Sequence, residues 1–292
     1  MLNNKKVEYI LEKITHSLIG VKGIDAIVLG GSRATETSGK DSDIDIGIYY
    51  DSSTFDFTTF RQKAILFDDE HRQDAITRPG DWGTWINGGG WLKIDDMAVD
   101  ILFRETKNVI AVIEECVEGN ITIDYQCGHP FGFVNSIYMG EVVYCKILNS
   151  NNQLIQKQKN NLKSFPPIYQ KAAIVKFMWE CEFSLLCGKK SIQKGDVLYA
   201  VGSLFRCWIS LLQVLYAINE LYMLNEKGCL QRLQQQKDAY IPKGFAQNVE
   251  SALSNLSQES IASSFDKVQE QYDLLNHYIQ ANTLSQHTQS LV

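Results

Sequence analysis

The chain has 292 residues, of which 45% are hydrophobic and 21% are charged. This composition excludes a disordered or collagen-like chain, and the length allows one large domain or two of moderate size. The 28 Lys and Arg residues against 34 Asp and Glu residues give a formal net charge of -6. Because no global positive field attracts such a chain to a phosphate backbone, we do not expect a nucleic-acid partner.

The first 150 residues mix helical and strand patterns. The periodicity predicts, in chain order, a helix over 4–19, a strand from Asp25, a short helix from Ser32, a strand over 42–50, a helix over 58–75, a hairpin over 91–103 with its turn at Asp95 and Asp96, a helix over 105–118 and a strand from Glu141. This order predicts a small mixed β-sheet with helices packed on it.

The second half of the chain has a helical pattern almost throughout. A polar segment that ends in Pro166 and Pro167 separates the two halves, and we place the domain boundary near residue 150. Beyond it the pattern predicts helices over 168–187, 196–223, 227–236, 244–256 and 259–280. We therefore expect an α+β protein in which a mixed-sheet domain, 1–150, is followed by an all-α helical bundle, 151–292.

The cysteines and the apolar segments indicate the compartment. Seven cysteines are scattered without a CxxC pair, and the N-terminal segment lacks the uninterrupted apolar run of a signal peptide. The most apolar stretch, residues 197–224, contains Arg206 and Glu220, which are costly to place in lipid. We interpret this stretch as a buried core helix, and we expect a cytoplasmic protein without a membrane partner.

Three acidic residues lie in predicted strands. Asp43 and Asp45 are two positions apart, so their side chains project from one face of the strand. Asp100 is a single acid embedded in a second apolar strand. Adjacent carboxylates repel each other unless a cation lies between them, and Mg²⁺ prefers such ligands. The pattern predicts a metal site. The alternatives are solvated acids at a strand end for the first two and an ion pair for the third.

A glycine-rich bend precedes these acids. Gly30, Gly31 and Ser32 follow a strand and open a short helix, so backbone N–H groups and the Ser32 hydroxyl are placed to bind a phosphate. A simple turn with a helix cap is the alternative. A phosphate site next to metal-binding carboxylates predicts phosphoryl or nucleotidyl transfer. The chain has no GxxxxGKS or GxxxxGKT run, which argues against a P-loop enzyme.

Together these motifs resemble the signature of the DNA polymerase beta-like nucleotidyltransferases. Gly31 and Ser32 are followed after ten residues by Asp43 and Asp45, and Asp100 follows some fifty residues later. The motif resemblance covers residues 24–103. The order of a small catalytic domain and a helical bundle is similar to that of the bacterial aminoglycoside and lincosamide nucleotidyltransferases.

This resemblance implies a reaction and its cofactors. The donor would be ATP or another NTP, and two Mg²⁺ ions would bind. A nucleoside monophosphate, AMP in the case of ATP, would pass to a hydroxyl of a small molecule, and pyrophosphate would be released. Antibiotic modification is what the similar branch implies for the acceptor.

The resemblance also assigns roles to residues by motif. Gly31 and Ser32 would hold the triphosphate. Asp43 and Asp45 would bind metal. Asp100 would be the third metal ligand or would help to deprotonate the acceptor.

Four further residues have two interpretations each. Glu180 is either the general base that the antibiotic-modifying branch implies or a structural acid. Arg33 either binds the nucleotide or is a solvated cation at a helix start. Lys227 either reaches the triphosphate or offsets a helix dipole. Arg206, within an apolar helix, needs either a ligand or an internal partner such as Glu180 or Glu182.

Three tryptophans lie in or beside a glycine-rich loop. Trp82, Trp85 and Trp91 either stack on a base or sugar of the substrate or close the small core of the domain.

Two other functions stay open at this point. One is a regulatory nucleotidyltransferase that modifies a protein or RNA partner, as antitoxin-type relatives do. The other is a nucleotide-binding module without catalysis. A homodimer is likewise an open alternative to a monomer.

Overall fold

The structure is a computed structural model, and it describes residues 2–39, 42–254 and 256–289. Its strands are, in chain order, β1 (Ile24–Leu29), β2 (Ile44–Tyr50), β3 (Gly89–Ile94), β4 (Met97–Glu105), β5 (Ile123–Asp124), β6 (Phe133–Val134) and β7 (Lys146–Ser150). Its helices are α1 (Leu2–Leu18), α2 (Gly31–Ala34), α3 (Phe57–Phe67), α4 (Thr106–Val117), α5 (Ile137–Tyr144), α6 (Leu154–Asn161), α7 (Pro167–Gln193), α8 (Val197–Ile218), α9 (Cys229–Gln234), α10 (Phe245–Leu253) and α11 (Ile261–Gln289). A sheet region followed by a largely helical region confirms the predicted α+β class.

The chain divides into two compact units. We call the first the sheet unit, and it comprises Met1–Glu118, Thr122–Gly128 and Gly132–Ser164. We call the second the helical unit, and it comprises Gly119–Ile121, His129–Phe131 and Phe165–Val292. The sheet unit thus extends beyond residue 150 and includes α6. The assignment of catalysis to 1–150 and of substrate binding to 151–292 stays a prediction.

The sheet unit is built on a five-stranded sheet with the order β3-β4-β2-β1-β7. Strands β2 and β4 are parallel, and the other neighbours are antiparallel. Asp95 and Asp96 both have positive φ, 50° and 61°, and they join β3 to β4 so that Ile94 pairs with Met97. Two consecutive positive φ values suit the right-handed twist of a two-residue hairpin turn. The hairpin and its predicted turn are therefore confirmed.

One face of the sheet, which we call the core face, is covered by α1 and α3. Ile10, Ile14 and Leu18 recur every four residues along α1, and all three are completely buried. They share one apolar cluster with Ile44 and Ile46 of β2. Each such side chain contributes about 1.5–3 kcal/mol by its removal from water. Because side chains alternate along a strand, this burial directs the residues between the isoleucines to the opposite face.

Helix α3 is shorter than its predicted range of 58–75, because the chain leaves the helix to hold an edge strand. Asp68 ends α3 with an extended backbone, and its carboxylate is fully buried. That carboxylate accepts hydrogen bonds from the backbone N–H of Lys93 in β3, at 3.0 Å, and from the side chain of Arg72, at 2.7 and 2.9 Å. The hydrogen bonds from Arg72 hold the pKa of Asp68 well below its ordinary value.

The predicted strand from Glu141 is wrong in its first half. Residues up to Tyr144 continue helix α5, and the strand, β7, begins only at Lys146. In this helix the half-buried Glu141 accepts two hydrogen bonds of 2.6 and 2.8 Å from Arg104 of β4, which is only 4% exposed. A short apolar run does not distinguish helix from strand by its period, and the partner of Glu141 is far away in sequence.

The helical unit is organised around α7, α8 and α11. Among the helices that the structure describes, α8 is the one long and apolar enough to cross a membrane, and 72% of its most apolar window is buried inside the protein. This confirms the interpretation of that stretch as a core helix. Gly188 of α7 lies against the ring of Phe265 of α11, where a Cβ atom at Gly188 would approach two ring carbons to 2.3 Å.

Candidate active site

A row of directly paired residues crosses three strands of the sheet. Asp45 of β2 pairs with Asp100 of β4, and Asp100 pairs with Trp91 of β3. Directly paired residues on neighbouring strands point to the same face, and successive strands lie roughly 4.8 Å apart. The flanking isoleucines and valine are buried in the core face, whereas the two aspartates are half-buried and Trp91 is 60% exposed. The two carboxylates and the indole therefore share the opposite face, which we call the site face.

The glycine bend lies directly against Asp45. The backbone N–H of Gly30 donates a 2.8 Å hydrogen bond to the carbonyl of Asp45. Gly31 opens α2 with a φ of 59°, and a Cβ atom at this position would lie 1.8 Å from the carboxylate oxygen Oδ2 of Asp45. The bend thus requires glycine for two reasons, its backbone conformation and the close approach to Asp45. The structure brings the predicted phosphate-binding residues Gly31 and Ser32 next to one of the predicted metal ligands, while their binding roles stay predictions.

Arg33 connects the bend to the start of β2. Its Nε donates a 2.9 Å hydrogen bond to the carbonyl of Asp43, and its terminal nitrogen donates another to the carbonyl of Ser42. Both contacts are to backbone, so the side chain fixes the segment that leads into β2. These contacts favour a structural role for Arg33, and nucleotide binding by this residue stays a prediction.

Asp43 lies one residue before β2, not within it, and its side chain is exposed. Over the described parts of the chain, no three His, Cys, Asp or Glu side chains are arranged as a metal site. The structure therefore pairs Asp45 with Asp100 and leaves Asp43 beside this pair. Two neighbouring, half-buried carboxylates provide the hard oxygen donors that suit a divalent cation such as Mg²⁺. The residues fit the ion, and the role of each as a ligand stays a prediction.

The other end of the site face is filled by buried side chains. Tyr49 lies four positions along β2 from Asp45, roughly 13 Å away, and it is buried beside the Arg104–Glu141 pair. Burial raises the pKa of Tyr49 well above its ordinary value. Trp85 stacks on Phe133 there, with ring centroids 5.0 Å apart. Of the two interpretations of the tryptophans, Trp85 thus fits the one in which the ring closes the core.

Trp82 and Trp91 form a separate stack beside the acids. Their ring centroids are 4.5 Å apart, and the rings are inclined by 26°. The pairing of Trp91 with Asp100 is predictable from the sequence, because a two-residue turn at Asp95 and Asp96 fixes the register of the hairpin. Sequence reasoning identified the turn but did not derive this pairing.

In the helical unit, Glu180 and Arg206 form the ion pair that was one of the alternatives for Arg206. Nε of Arg206 donates to Oε1 of Glu180 at 2.8 Å, and the guanidinium carbon lies 5.0 Å from the ring centroid of Phe131. A general-base role for Glu180 therefore has to compete with this pairing. Lys227 is exposed between α8 and α9. The catalytic role of Glu180 and the nucleotide-binding role of Lys227 stay predictions.

The comparisons with known proteins bear on the bend and on β2. Residues 12–76 match the family model described as Polymerase beta, Nucleotidyltransferase. This segment contains β1, the glycine bend and both Asp43 and Asp45. Over these residues the chain is similar to the polymerase beta nucleotidyltransferases. Asp100 and Trp91 lie beyond the matched residues.

Two further comparisons complete this result. No curated protein matches the chain. Among solved structures, a nucleotidyltransferase-like protein from Exiguobacterium sibiricum 255-15 is similar with 8% identity and a TM-score of 0.42, over 94% of this chain and 75% of that one. The likeness to nucleotidyltransferases rests on the family model, which covers residues 12–76.

Proposed function

We propose that the protein is a Mg²⁺-dependent nucleotidyltransferase that moves AMP from ATP to a hydroxyl of a small molecule and releases pyrophosphate. The observation that carries the proposal is the direct pairing of Asp45 with Asp100 beside the glycine bend, and the bend and Asp45 lie in the segment that matches the nucleotidyltransferase family model. The net charge of -6 favours a small molecule over a nucleic acid as acceptor. Aminoglycosides and lincosamides are the first acceptors to test.

In the proposed reaction each part of the site has one task. Gly31 and Ser32 bind the phosphates of the donor through backbone N–H groups and the serine hydroxyl. Asp43 and Asp45 hold the cation, which when bound supplies positive charge to the phosphate oxygens. The acceptor oxygen forms a bond to the α-phosphorus, and the bond from this phosphorus to the pyrophosphate oxygen breaks. Asp100 either completes the ligand set or takes the proton of the attacking hydroxyl.

Transfer of label tests this proposal. The full chain is incubated with Mg²⁺, ATP labelled at the α-phosphate and a panel of hydroxylated acceptors. We expect labelled acceptor and free pyrophosphate, and we expect the double variant Asp43→Asn/Asp45→Asn to lose activity by about 100-fold or more. Asp74→Asn is the matched control, because Asp74 is an exposed acid of the same unit. Full activity in the double variant would refute the proposed site. Label on a co-purified protein would favour a regulatory enzyme instead.

The variant Asp100→Asn separates the two roles of Asp100. If Asp100 is a metal ligand, its loss raises the Mg²⁺ concentration needed for half-maximal activity, and excess Mg²⁺ restores part of the rate. If Asp100 accepts the proton, excess Mg²⁺ restores nothing, and the acidic limb of the pH–rate profile disappears.

A further inference from the structure

We infer that Trp91, supported by Trp82, is the platform on which the acceptor binds, and that the acceptor presents the flat face of a hydroxyl-bearing ring to the indole. This inference rests on the proposed function and adds the substrate class. It concerns residues of the sheet unit that lie outside the matched family segment.

The order of residues along the row places the acceptor at the Trp91 end. Gly30 contacts Asp45, Asp45 pairs with Asp100, and Asp100 pairs with Trp91. In phosphoryl-type transfer the attacking and the leaving oxygen lie roughly in line on opposite sides of the phosphorus. If pyrophosphate leaves at the glycine bend, the attacking hydroxyl arrives from the opposite end of the row. That end is the indole of Trp91, two strand spacings or roughly 10 Å from Asp45.

Trp91 exposes more of its surface to solvent than a tryptophan of the core does. Trp91 is 60% exposed, although Trp82 stacks on it at 4.5 Å. Trp85, which lies in the same loop as Trp82, is half-buried and packs against Phe133. A large exposed aromatic surface next to charged groups is typical of a binding site, because its burial by a ligand is favourable.

The backbone at both tryptophans is fixed by hydrogen bonds, and the two indole rings stack on each other. The carbonyl of Trp91 accepts a 2.9 Å hydrogen bond from Arg72, which is itself paired with the buried Asp68. The carbonyl of Trp82 accepts a 3.2 Å hydrogen bond from the side chain of Gln126, which is 6% exposed. Binding to a platform that is already ordered loses less conformational entropy than binding to mobile side chains.

The surroundings define the chemistry of the ligand. Asp100 is adjacent to the indole, so the edge of the ring that faces it carries a hydrogen-bond donor such as a hydroxyl. An indole face accepts the C–H face of a sugar or cyclitol, the face of an aromatic ring, or a cation. The shared requirement is a ring that offers one apolar face to the indole and carries a hydroxyl.

Quenching of tryptophan fluorescence tests the platform without any need for turnover. The probe is 4-nitrophenyl β-D-glucoside, which carries both ring types, and methyl β-D-glucoside and 4-nitrophenol compete separately to identify the ring that binds. We expect saturable quenching of the full chain, and binding that is roughly 5- to 10-fold weaker in Trp91→Ala. Trp91→Phe keeps an aromatic face and should retain most of the affinity. Tyr9→Ala is the control, because Tyr9 is 58% exposed on α1 in the same unit.

Three outcomes overturn the inference. One is the absence of saturable quenching in the unmodified protein. Another is equal probe affinity in Trp91→Ala and Tyr9→Ala. The third is a loss of affinity for a non-hydrolysable ATP analogue with Mg²⁺ in Trp91→Ala, which would place the indole in the donor site.

The inference and the proposed function fail in different ways. Probe binding that depends on Trp91 in a protein that transfers no label supports the platform and refutes the function. Label transfer with an unchanged KM for the acceptor in Trp91→Ala supports the function and refutes the platform.

Discussion

Replacement of Gly31 by alanine separates backbone strain from damage to the site. A positive φ of 59° costs an alanine about 1–2 kcal/mol of folding free energy. The new Cβ atom would also lie 1.8 Å from Oδ2 of Asp45 and 2.5 Å from its Cγ. The carboxylate oxygen must therefore retreat by roughly 1.5–2 Å to reach an ordinary contact distance. Ligand distances in metal sites are held to within about 0.2 Å, so this displacement is large enough to remove a ligand.

Gly20→Ala is the matched control for this experiment. Gly20 has a φ of 86°, and no atom of the described residues lies within 4 Å of an ideal Cβ atom there. Urea unfolding should show a loss of about 1–2 kcal/mol in Gly20→Ala and at least as large a loss in Gly31→Ala. Calorimetry with Mg²⁺ and a non-hydrolysable ATP analogue should show binding in Gly20→Ala and little or none in Gly31→Ala. Equal binding by the two variants would refute the placement of Asp45 in the nucleotide site.

Three other predictions concern stability, and urea unfolding measures each of them. Gly188→Ala should destabilise the protein by about 1–3 kcal/mol, because the new methyl group meets the phenylalanine ring of α11. Gly202→Ala in α8 should stabilise it by about 0.5–1 kcal/mol, because no described atom beyond its own helix backbone lies within 4 Å of the new methyl group, and a Gly188→Ala variant more stable than Gly202→Ala would contradict the packing. Glu141→Leu should cost about 3 kcal/mol, since the buried charge of Arg104 loses its partner. The double variant Arg104→Met/Glu141→Leu should recover most of this loss, and a double variant no more stable than Glu141→Leu would argue against coupling of the pair. Burial raises the pKa of Cys116 to about 12, so between about pH 9 and 12 the native thiol stays protonated while the unfolded one ionises, and the free energy of unfolding should fall as the pH rises through this range. If Cys116→Ala shows the same decrease of the free energy of unfolding with pH, the expectation is contradicted.

The predictable part of the structure depends on short-range patterns. The alternation of Asp and Ile around Asp45 gave the strand and its polar face, and the Asp95–Asp96 turn gave the hairpin. The local pattern predicts a strand at Glu141, whereas in the structure Glu141 lies in a helix and contacts Arg104, which is 37 residues away in sequence. The early end of α3 likewise depends on contacts that Asp68 makes with β3. Local periodicity does not report such contacts.

The site was predictable to a similar extent. The bend and Asp45 are close in sequence and are held together by one hydrogen bond, so their proximity followed from the motif. The backbone contacts of Arg33 require the folded path of the chain into β2, and no spacing rule gives them. The position of Trp91 beside Asp100 followed from the hairpin register and was within reach of sequence reasoning.

The pairing of β2 with β4 has a consequence for how such a protein evolves. The separation of Asp45 from Asp100 is set by main-chain hydrogen bonds, which are indifferent to the side chains around them. The aliphatic neighbours are then free to exchange among Val, Ile and Leu over many generations without a change in the geometry of the acids. Distant homologues with this sheet should therefore retain the acids and the glycine while nearly every other residue differs. A search by overall sequence identity would miss them.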